Sequence, residues 1–570
     1  MPASDPRGDR FAVAAALREI GALLEVEGTD AYRARAYRRG AQAVESLAAD
    51  LRPLAKAGRL TTVPGIGARL ALTIGELLDS GTSPLLERLR SRYPPGVLEL
   101  RTVLSLSRIR ALHDALGVTS VAELRAACVS GAVRGVRGFG PRTERRILDA
   151  IDARAAQGDA VLLPEAAAQG ERFLAYLRTA LVIARAELAG AFRRRVEIVS
   201  RLDVVIASPD PAAAIAHAVA FPATESVTED DGTRVTMRPA GGLPIHVRAV
   251  REPDFAAAWV RATGSDDHVA KLSQRALAGV LAFDGDGDAR VPPADEAALY
   301  RVLGLAFVPP ELREDAGEID AAASGTLPPD LVVADDVQGA VHCHTVYSDG
   351  RNTIEEMALA AEALGMRYLT ITDHSPTAGY AGGLSVERLR RQRDEIARVQ
   401  EGVGIVLLHG TESDILRDGA LDFPDGVLRE LDVVIASIHA RHGLDAASMT
   451  RRLVRALRHP VFKIWGHALG RYVLTRPPFA CDVERVLDAA AESRTAIEIN
   501  GDPHRLDLEP RWIREARRRG LRFVISSDAH STGALANFRW GVDMARRGWV
   551  GRGEVLNALP AEDFRAAVRP

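Results

Sequence analysis

The stretch GAVHCHTVYSDG (residues 339–350) begins as an apolar strand and carries two histidines, His342 and His344, one residue apart. Successive side chains on a strand point to opposite faces, so both imidazoles face one side and Cys343 faces the other. Six further apolar segments follow, each separated from the next by a helical pattern. This alternation predicts a β/α barrel with one unit fewer than the usual eight. The six segments are RYLTITD (367–373), GIVLLHGTES (404–413), LDVVIASIH (431–439), VFKIWGH (461–467), TAIEIN (495–500) and LRFVISSDAH (521–530).

Side chains that can bind metals follow the carboxyl ends of these predicted strands. In a β/α barrel those ends meet on one face, where active sites lie. A single histidine at a strand end is more often structural, but nine such residues together favour a metal centre. Imidazoles and carboxylates without thiolates suit Mn²⁺, Zn²⁺ or Fe²⁺, and a set of this size indicates two or three ions of the kind that hydrolyse phosphate esters. The nine are His342, His344, Asp349, His374, Glu412, His439, His467, Asp528 and His530, with Glu412 the best candidate for a bridging carboxylate.

Two glycine-rich turns near the amino terminus predict contacts with DNA. VPGIG (63–67) and VRGFGPR (136–142) each precede a helical pattern with basic residues. Glycines let the backbone approach a phosphate closely, and the start of the next helix offers free N–H groups and a positive dipole end. A repeated turn of this kind favours sequence-independent binding of the DNA backbone. The candidate contacts are Gly65, Gly67, Arg69, Gly138, Gly140 and Arg142.

Composition adds mainly exclusions. The 570 residues carry 73 basic and 76 acidic side chains, a net charge of −3. The overall charge therefore does not indicate nucleic-acid binding, and only local basic patches can do so. Three cysteines are too few for a disulfide framework. No apolar run approaches the ~20 residues of a membrane span, and the polar start MPASDPRGDR is unlike a secretory signal. We expect a cytoplasmic protein with no membrane partner; protein partners stay open.

The motifs of the last region resemble those of the PHP (polymerase and histidinol phosphatase) metal-dependent phosphoesterases. The resemblance covers about residues 338–570 and rests on HCHTVYSDG, ITDHS, HGTESDI, SIHARHG, GHALGR and SSDAHS. It implies a distorted seven-stranded barrel with three ions and a metal-bound water as the nucleophile. One ion would be held by His342, His344, Glu412 and Asp528, a second by Glu412, His439 and His467, and a third by Asp349, His374 and His530. Arg471 and His442 are candidates for phosphate contacts or for groups that support the metal ligands, with a surface arginine and a loop histidine as the alternative interpretation.

The region before it resembles a bacterial family X DNA polymerase. LLEVEGTDAYRARAYRRGA (23–41) resembles the start of that family's lyase-like domain, and the two glycine turns resemble its helix-hairpin-helix motifs. LYRVLGLAFVPPELREDAGEIDAA (299–322) resembles the segment that joins such a polymerase to a PHP domain. The resemblance implies four domains: helical residues 1–92 and 93–158, each with a hairpin, an α/β nucleotidyltransferase-like palm and thumb at 159–325, and the PHP barrel at 333–570.

The polymerase motif departs from the family pattern of Gly-Ser, two Arg, Asp-x-Asp and a third Asp on a later strand. Ala191 stands at the Ser position, Arg201 at the first Asp and His246 at the third, so only Asp203 remains. Phosphoryl transfer needs carboxylates to hold two Mg²⁺ ions, and Arg201 would repel them. We therefore expect polymerase activity to be lost, unless another carboxylate, such as Glu197, rebuilds the site.

These observations favour a metal-dependent DNA phosphodiester hydrolase, a 3′→5′ exonuclease or abasic-site endonuclease, acting in DNA repair. The alternatives are a PHP phosphatase acting on a small phosphomonoester, a still-active repair polymerase and a non-catalytic DNA-binding scaffold. The hairpins argue against a small-molecule phosphatase, and the Arg and His replacements argue against an active polymerase. The set of metal-binding residues argues against a non-catalytic scaffold. The acidic stretch FDGDGDARVPPADEAALY (283–300) has only part of the spacing of a calcium loop, and we assign it no metal.

Overall fold

The protein forms two compact units, Met1–Gly158 and Asp159–Pro570. The computed structural model describes residues 6–28, 31–46, 51–63, 65–94, 96–158, 160–279 and 294–570. Most of the acidic stretch at 283–300 lies outside the described residues, so our prediction of no metal there stays a prediction. None of the helices in the described part of the chain combines the length and the apolar character that a membrane crossing needs.

The first unit is entirely helical in its described part. Apolar side chains recur along its helices at three- and four-residue intervals, and the resulting stripes form one core that includes Leu17, Ile20 and Ile74. The helices are α1 Pro6–Glu27, α2 Ala31–Ser46, α3 Leu51–Lys56, α4 Ala68–Ser80, α5 Pro84–Arg92, α6 Gly96–Glu99, α7 Leu106–Leu116, α8 Val121–Val129 and α9 Pro141–Gln157.

The second unit begins with a five-stranded sheet of order β2-β4-β7-β6-β5, in which only the β4–β7 pair is parallel. Strands β4 and β7 are formed by apolar, β-branched segments, LDVVIA and IHVRAV, whereas β2, β5 and β6 are richer in charged or hydroxyl residues. The strands are β1 Val161–Leu162, β2 Arg185–Leu188, β3 Ile198–Val199, β4 Leu202–Ala207, β5 Thr224–Thr228, β6 Arg234–Pro239 and β7 Ile245–Val250. The helices are α10 Leu163–Leu177, α11 Gly190–Arg193, α12 Pro211–Val219, α13 Phe255–Thr263, α14 Asp266–Gly279, α15 Glu296–Val302 and α16 Glu318–Ser324.

Seven parallel strands follow in sequence order, and a parallel bridge between Cys343 and Ala529 brings the two ends of the sheet together. The predicted seven-stranded β/α barrel is thus confirmed, nearly closed, with each predicted strand present. The strands are β8 Gly339–Cys343, β9 Tyr368–Ile371, β10 Val406–Asp414, β11 Val433–Ser437, β12 Lys463–Trp465, β13 Thr495–Asn500 and β14 Phe523–Ser526. The helices are α17 Ile354–Ala363, α18 Val386–Gln400, α19 Asp425–Leu428, α20 Ala446–Leu457, α21 Val483–Ala491, α22 Pro510–Arg518, α23 Phe538–Arg547 and α24 Ala561–Val568.

The barrel and the preceding α/β region pack against each other within the second unit. Trp540 on α23 touches the core of the barrel and the core of the five-stranded sheet. Ion pairs cross the same boundary, among them Arg546 Nε to Glu311 Oε1 at 2.8 Å. Residues 333–570 are therefore one part of a larger compact unit, and the boundaries of the four predicted domains stay predictions.

Candidate metal centre and DNA-contacting hairpins

Glu412, near the carboxyl end of β10, lies at the centre of the predicted ligand set. It is buried, 1% exposed, and five imidazoles approach its two carboxylate oxygens. Because five imidazole nitrogens lie within 3.6 Å of its two oxygens, Glu412 has the geometry of a bridging ligand. The nitrogen-to-oxygen distances are 3.3 Å for His342, 3.6 Å for His344, 3.0 Å for His374, 3.1 Å for His439 and 2.8 Å for His467.

Asp349 and Asp528 extend the cluster on either side of His344. Asp349 Oδ1 lies 3.5 Å from His374 Nε2 and 3.3 Å from His530 Nε2. Asp528 Oδ1 lies 3.2 Å from His344 Nε2. The structure thus brings all nine predicted residues into one connected cluster. Ligand atoms within 4.8 Å of one another form four groups: His344, Asp349, His374 and His530; His342, His344 and Glu412; His342, His467 and Asp528; His374, Glu412 and His439.

These groups differ from the division that the PHP resemblance implies in the placing of three histidines. His467 lies with His342 and Asp528 as well as beside Glu412. His374 also lies with Glu412 and His439, and His344 also lies with Asp349, His374 and His530. Neighbouring groups therefore share ligands, as closely spaced ions require.

Unpaired polar atoms test whether the cluster fits metal ions. Several buried atoms of the cluster make no aligned hydrogen bond, although oppositely charged groups lie close to some of them. They are His342 Nε2, both nitrogens of His344, His374 Nδ1, Glu412 Oε2 and His467 Nδ1. Leaving one such group unsatisfied costs about 1–3 kcal/mol, so several in one place call for a shared partner. The donors are nitrogens and carboxylate oxygens, and the residues therefore fit borderline transition ions such as Mn²⁺, Zn²⁺ or Fe²⁺.

Protonation within the cluster follows from burial and mutual attraction. Burial opposes ionisation of Glu412, but His439, His342 and His374 outweigh it and hold its pKa well below the usual range. Burial lowers the pKa of His467 to about 4 and that of His344 to about 3, so both rings are neutral and able to ligate. For His374, burial is outweighed by Glu412 and Asp349, which raise its pKa to about 10. An ion binding there would have to displace that proton.

Backbone strain is concentrated at three of the predicted ligands. His342, His467 and Asp528 have φ angles of 65°, 25° and 50°, in the left-handed region that non-glycine residues rarely adopt. Each such residue costs on the order of 1–3 kcal/mol and persists only where its surroundings hold it. His467 and Asp528 lie two residues beyond β12 and β14, whereas His342 lies within β8 at an irregularity in its pairing with β9. All three side chains belong to the cluster.

Glu498, which the sequence analysis missed, supports the cluster from behind. Its carboxylate accepts hydrogen bonds from His342 Nδ1 at 2.5 Å, from Ser526 Oγ at 2.6 Å and from the backbone N–H of His467. It therefore fixes the ring of His342 with Nε2 toward Glu412. The available signal was a charged residue in the middle of the apolar strand β13. Asp414, two residues after Glu412 on β10, similarly lies 3.1 Å from His439 Nδ1.

A cleft of about 470 Å³ opens over the cluster. Besides predicted ligands, its walls carry three arginines, Arg351, Arg476 and Arg505, and two tyrosines, Tyr380 and Tyr472. Arg505 Nε lies 3.1 Å from Asp528 Oδ2, and its guanidinium lies over the ring of Tyr472 at 4.5 Å. The walls thus offer cations for phosphate and aromatic faces for bases. None of these five residues stands in the quoted motifs, which is why they were missed.

The two candidate phosphate contacts differ in outcome. His442 lines the cleft, where its ring stacks on Phe479 and its Nε2 contacts the His439 carbonyl at 2.9 Å. Arg471 is not among the lining residues; its side chain is 10% exposed and pairs with Glu197 at 3.0 Å. The structure therefore does not place Arg471 in the cleft, where a phosphate would bind.

The predicted polymerase site lies on the paired strands β4 and β7, where Asp203 and His246 are direct neighbours. Arg201 Nε lies 3.1 Å from Asp203 Oδ1, and His246 Nδ1 lies 3.9 Å from the same oxygen. The structure thus brings the three residues together, with Arg201 paired to Asp203 and His246 beside them. Glu197, considered above as a replacement carboxylate, points elsewhere: both of its oxygens pair with arginines of the barrel, Arg471 and Arg547.

The two hairpins of the first unit have matching geometry. Gly65 and Gly138 have φ angles of 90° and 91°, which only glycine adopts without strain. Across each turn the next residue donates its backbone N–H back three positions, Ile66 to Val63 at 3.0 Å and Phe139 to Val136 at 2.9 Å. Ile66 and Phe139 are buried, whereas Gly65, Gly67, Arg69, Gly138 and Arg142 are exposed and Gly140 is half-buried. Both turns therefore present their backbone outward immediately before α4 and α9.

Comparison with known proteins agrees with this architecture. Family models match residues 9–83 (helix-hairpin-helix domain), 106–153 (SAM-like helix-hairpin-helix tandem), 258–314 (DNA polymerase beta thumb) and 340–501 (PHP domain). The DNA polymerase/3′-5′ exonuclease PolX of Bacillus subtilis (strain 168) is 32% identical over 97% of this chain and 98% of its own length. A probable phosphatase of Caldanaerobacter subterraneus subsp. tengcongensis is 32% identical over 33% of this chain and 74% of its own length.

Together, the fold and the site define a multidomain enzyme with a PHP phosphoesterase domain behind helix-hairpin-helix and polymerase-type domains. The chain belongs to the PolX family of DNA polymerase/3′-5′ exonucleases.

Proposed function

We propose that this protein is a metal-dependent DNA phosphodiester hydrolase of the PolX type, a 3′→5′ exonuclease or abasic-site endonuclease acting in DNA repair, without polymerase activity. The observation that carries the proposal is the convergence of nine imidazole and carboxylate side chains beneath a cleft with three arginines. The ligands would be those nine residues and the ions two or three of Mn²⁺, Zn²⁺ or Fe²⁺. Such ions activate a water molecule and neutralise the attacking and leaving oxygens of a phosphodiester.

The residues of the chain divide the remaining work. Glu412 would hold neighbouring ions together, and Glu498 would keep His342 oriented toward them. Arg505 and Arg476 would bind the phosphate, because guanidinium groups match its oxygens in geometry and charge. Tyr380, whose residue exposure is 71%, would stack on a base at the cleft mouth. No amino-acid nucleophile is needed.

Loss of polymerase activity is proposed from the palm. Asp203 is the one carboxylate left at the expected positions, and Arg201 pairs with it. Arg193 and Arg194 follow Ala191 in the same motif, where the family pattern has two arginines, and both are already paired. Arg193 pairs with Glu296 at 2.6 Å and Arg194 with Glu314 at 2.7 Å. Their side chains are 15% and 14% exposed, so little of either charge is available to a nucleotide.

The test is incubation of the full chain with Mn²⁺ and end-labelled duplexes that carry a recessed 3′ end, a one-nucleotide gap or an abasic site. We expect stepwise shortening from the 3′ end or incision at the abasic site, and neither product from Asp528→Ala. Activity on p-nitrophenyl phosphate that exceeds activity on every duplex would instead favour a phosphatase of small phosphomonoesters. Absence of hydrolysis with Mn²⁺, Zn²⁺ and Fe²⁺ would contradict both.

A further inference from the structure

We infer that Glu197, a palm residue, is a positioning residue of the nuclease site and acts through Arg471 on Arg505. The inference rests on the proposed nuclease function. It gives the palm a task in hydrolysis that does not depend on polymerase chemistry.

The first step is the ion pair between palm and barrel. Glu197 Oε1 accepts from Arg471 Nη2 at 3.0 Å, and its other oxygen accepts from Arg547 Nη1. The Glu197 side chain is 14% exposed. Burial disfavours its charge, but Arg547 and Arg471 outweigh burial and lower its pKa to about 2. Glu197 is therefore a permanent anion between two cations of the barrel.

The second step runs from Arg471 to the cleft wall. Arg471 Nε donates to the carbonyl of Arg505 at 2.9 Å, and Nη2 also donates to the carbonyl of Leu506. Leu506 has a φ of 41°, a conformation that a leucine holds only under constraint. One guanidinium thus fixes two successive carbonyls of the segment that carries Arg505.

The third step is the position of Arg505 itself. Its residue exposure is 8%, it lines the cleft, and its Nε lies beside Asp528, a predicted metal ligand. A cation at this point can contact a phosphate bound at the metal cluster. Loss of the Glu197 charge would free Arg471 on one side and loosen the Arg505 segment, although Glu509, 3.4 Å from Arg471 Nη1, would retain part of the restraint.

The experiment compares Glu197→Gln with wild type in the full chain, on a recessed 3′ duplex and on the p-nitrophenyl ester of thymidine 5′-monophosphate, at saturating Mn²⁺. Misplaced binding groups typically cost 10- to 100-fold, and we expect kcat/KM to fall about tenfold on both substrates with unchanged metal content. The matched control is Glu311→Gln, which removes another ion pair across the same boundary. Its partner Arg546 turns to the Val332 carbonyl rather than to the cleft segment, so kcat/KM should not change.

A double-mutant cycle separates positioning from general support. If Glu197 acts through Arg505, Glu197→Gln should add no further loss in an Arg505→Gln background. Additive losses, or equal losses in Glu311→Gln, would overturn the inference, and so would full activity of Glu197→Gln. If Glu197→Gln does not fold, Glu197→Asp keeps the buried charge and shortens its reach, and the same cycle decides. A wild-type protein without hydrolytic activity would refute the proposed function itself, a distinct outcome.

Discussion

Glu412 is the central side chain of the proposed metal centre, because the imidazoles of five predicted ligands contact its two oxygens. Glu412→Gln keeps the shape but removes the charge that bridging ions need. We expect the content of transition ions to fall from at least two per chain to below one, and DNA hydrolysis to fall by at least about 100-fold. Elemental analysis and a gel assay of labelled duplex measure the two quantities.

The matched control for this change is Glu387→Gln, since the Glu387 side chain is 81% exposed on α18 and pairs only with its helical neighbour Arg391 among the described ion pairs. It should retain full metal content and rate. Wild-type metal content in Glu412→Gln would contradict the assignment of Glu412 as a bridge.

Glu498 should control metal affinity without binding metal. Glu498→Gln weakens the charge-assisted hydrogen bond that orients His342, and partners of this kind typically change metal affinity by about 10–100-fold. We expect the Mn²⁺ concentration for half-maximal hydrolysis to rise by that factor, measured by titrating metal-free protein. Glu492→Gln, an exposed change just before the same strand, is the control. An unchanged Mn²⁺ titration would mean that Glu498 only supports the fold.

The hairpins can be tested without straining the backbone. Gly67 has φ −82° and ψ 170°, which valine tolerates, and no neighbouring residue lies within 4 Å of a Cβ atom added there. Gly67→Val should therefore keep the fold but obstruct the approach of a phosphate. We expect the Kd for duplex DNA to rise about tenfold, by fluorescence anisotropy, with turnover of the thymidine ester unchanged.

Gly75→Val is the control for the hairpin, because Gly75 lies within the same helix, α4, and also has open space around it. It should leave the Kd unchanged. Binding by wild type should weaken steeply as salt rises, since backbone contacts release counterions. Loss of ester turnover in Gly67→Val would show that the hairpin serves stability instead of DNA binding.

The strand pair β4–β7 should not support synthesis. With Arg201 on Asp203 and with His246 beside it, we expect no incorporation into a gapped primer with Mg²⁺ or Mn²⁺. Restoring both carboxylates by Arg201→Asp and His246→Asp should remain insufficient, because Arg193 and Arg194 stay paired with Glu296 and Glu314. Efficient gap filling by wild type, measured by primer extension, would contradict the proposal.

In the whole molecule, hydrolysis and DNA affinity should separate at residue 158, between the two compact units. A fragment of residues 1–158 should bind DNA without cutting it, and a fragment of 159–570 should cleave the thymidine ester at the full-length rate. A fragment of 333–570 should be less stable and slower, because it loses Glu197 and Glu311 as ion-pair partners. Thermal unfolding and ester kinetics compare fragment 333–570 with fragment 159–570. Equal stability of these two fragments would contradict the prediction that the lost ion pairs support the barrel.

Much of the barrel and of the ligand cluster could be predicted from local patterns. A short apolar run predicts each strand. Parallel strands bring their carboxyl ends to one face of the barrel, so residues such as His342 and Asp528 converge even though they lie far apart in the chain. The hairpins were equally local, since Gly65 and Gly138 occupy turns whose conformation favours glycine.

The partners of buried charges could not be read from local sequence. Glu197 and Arg471 are 274 residues apart, and nothing near either residue indicates that packing of the palm on the barrel would bury them together. Arg471 stands in a conspicuous motif, GHALGR, and local sequence therefore predicts a phosphate contact there. The cleft is instead lined by Arg505, which stands outside every quoted motif. Strand periodicity and turn chemistry depend on neighbours in sequence, but the pairing of charges depends on which surfaces meet, and that is settled only when the elements pack.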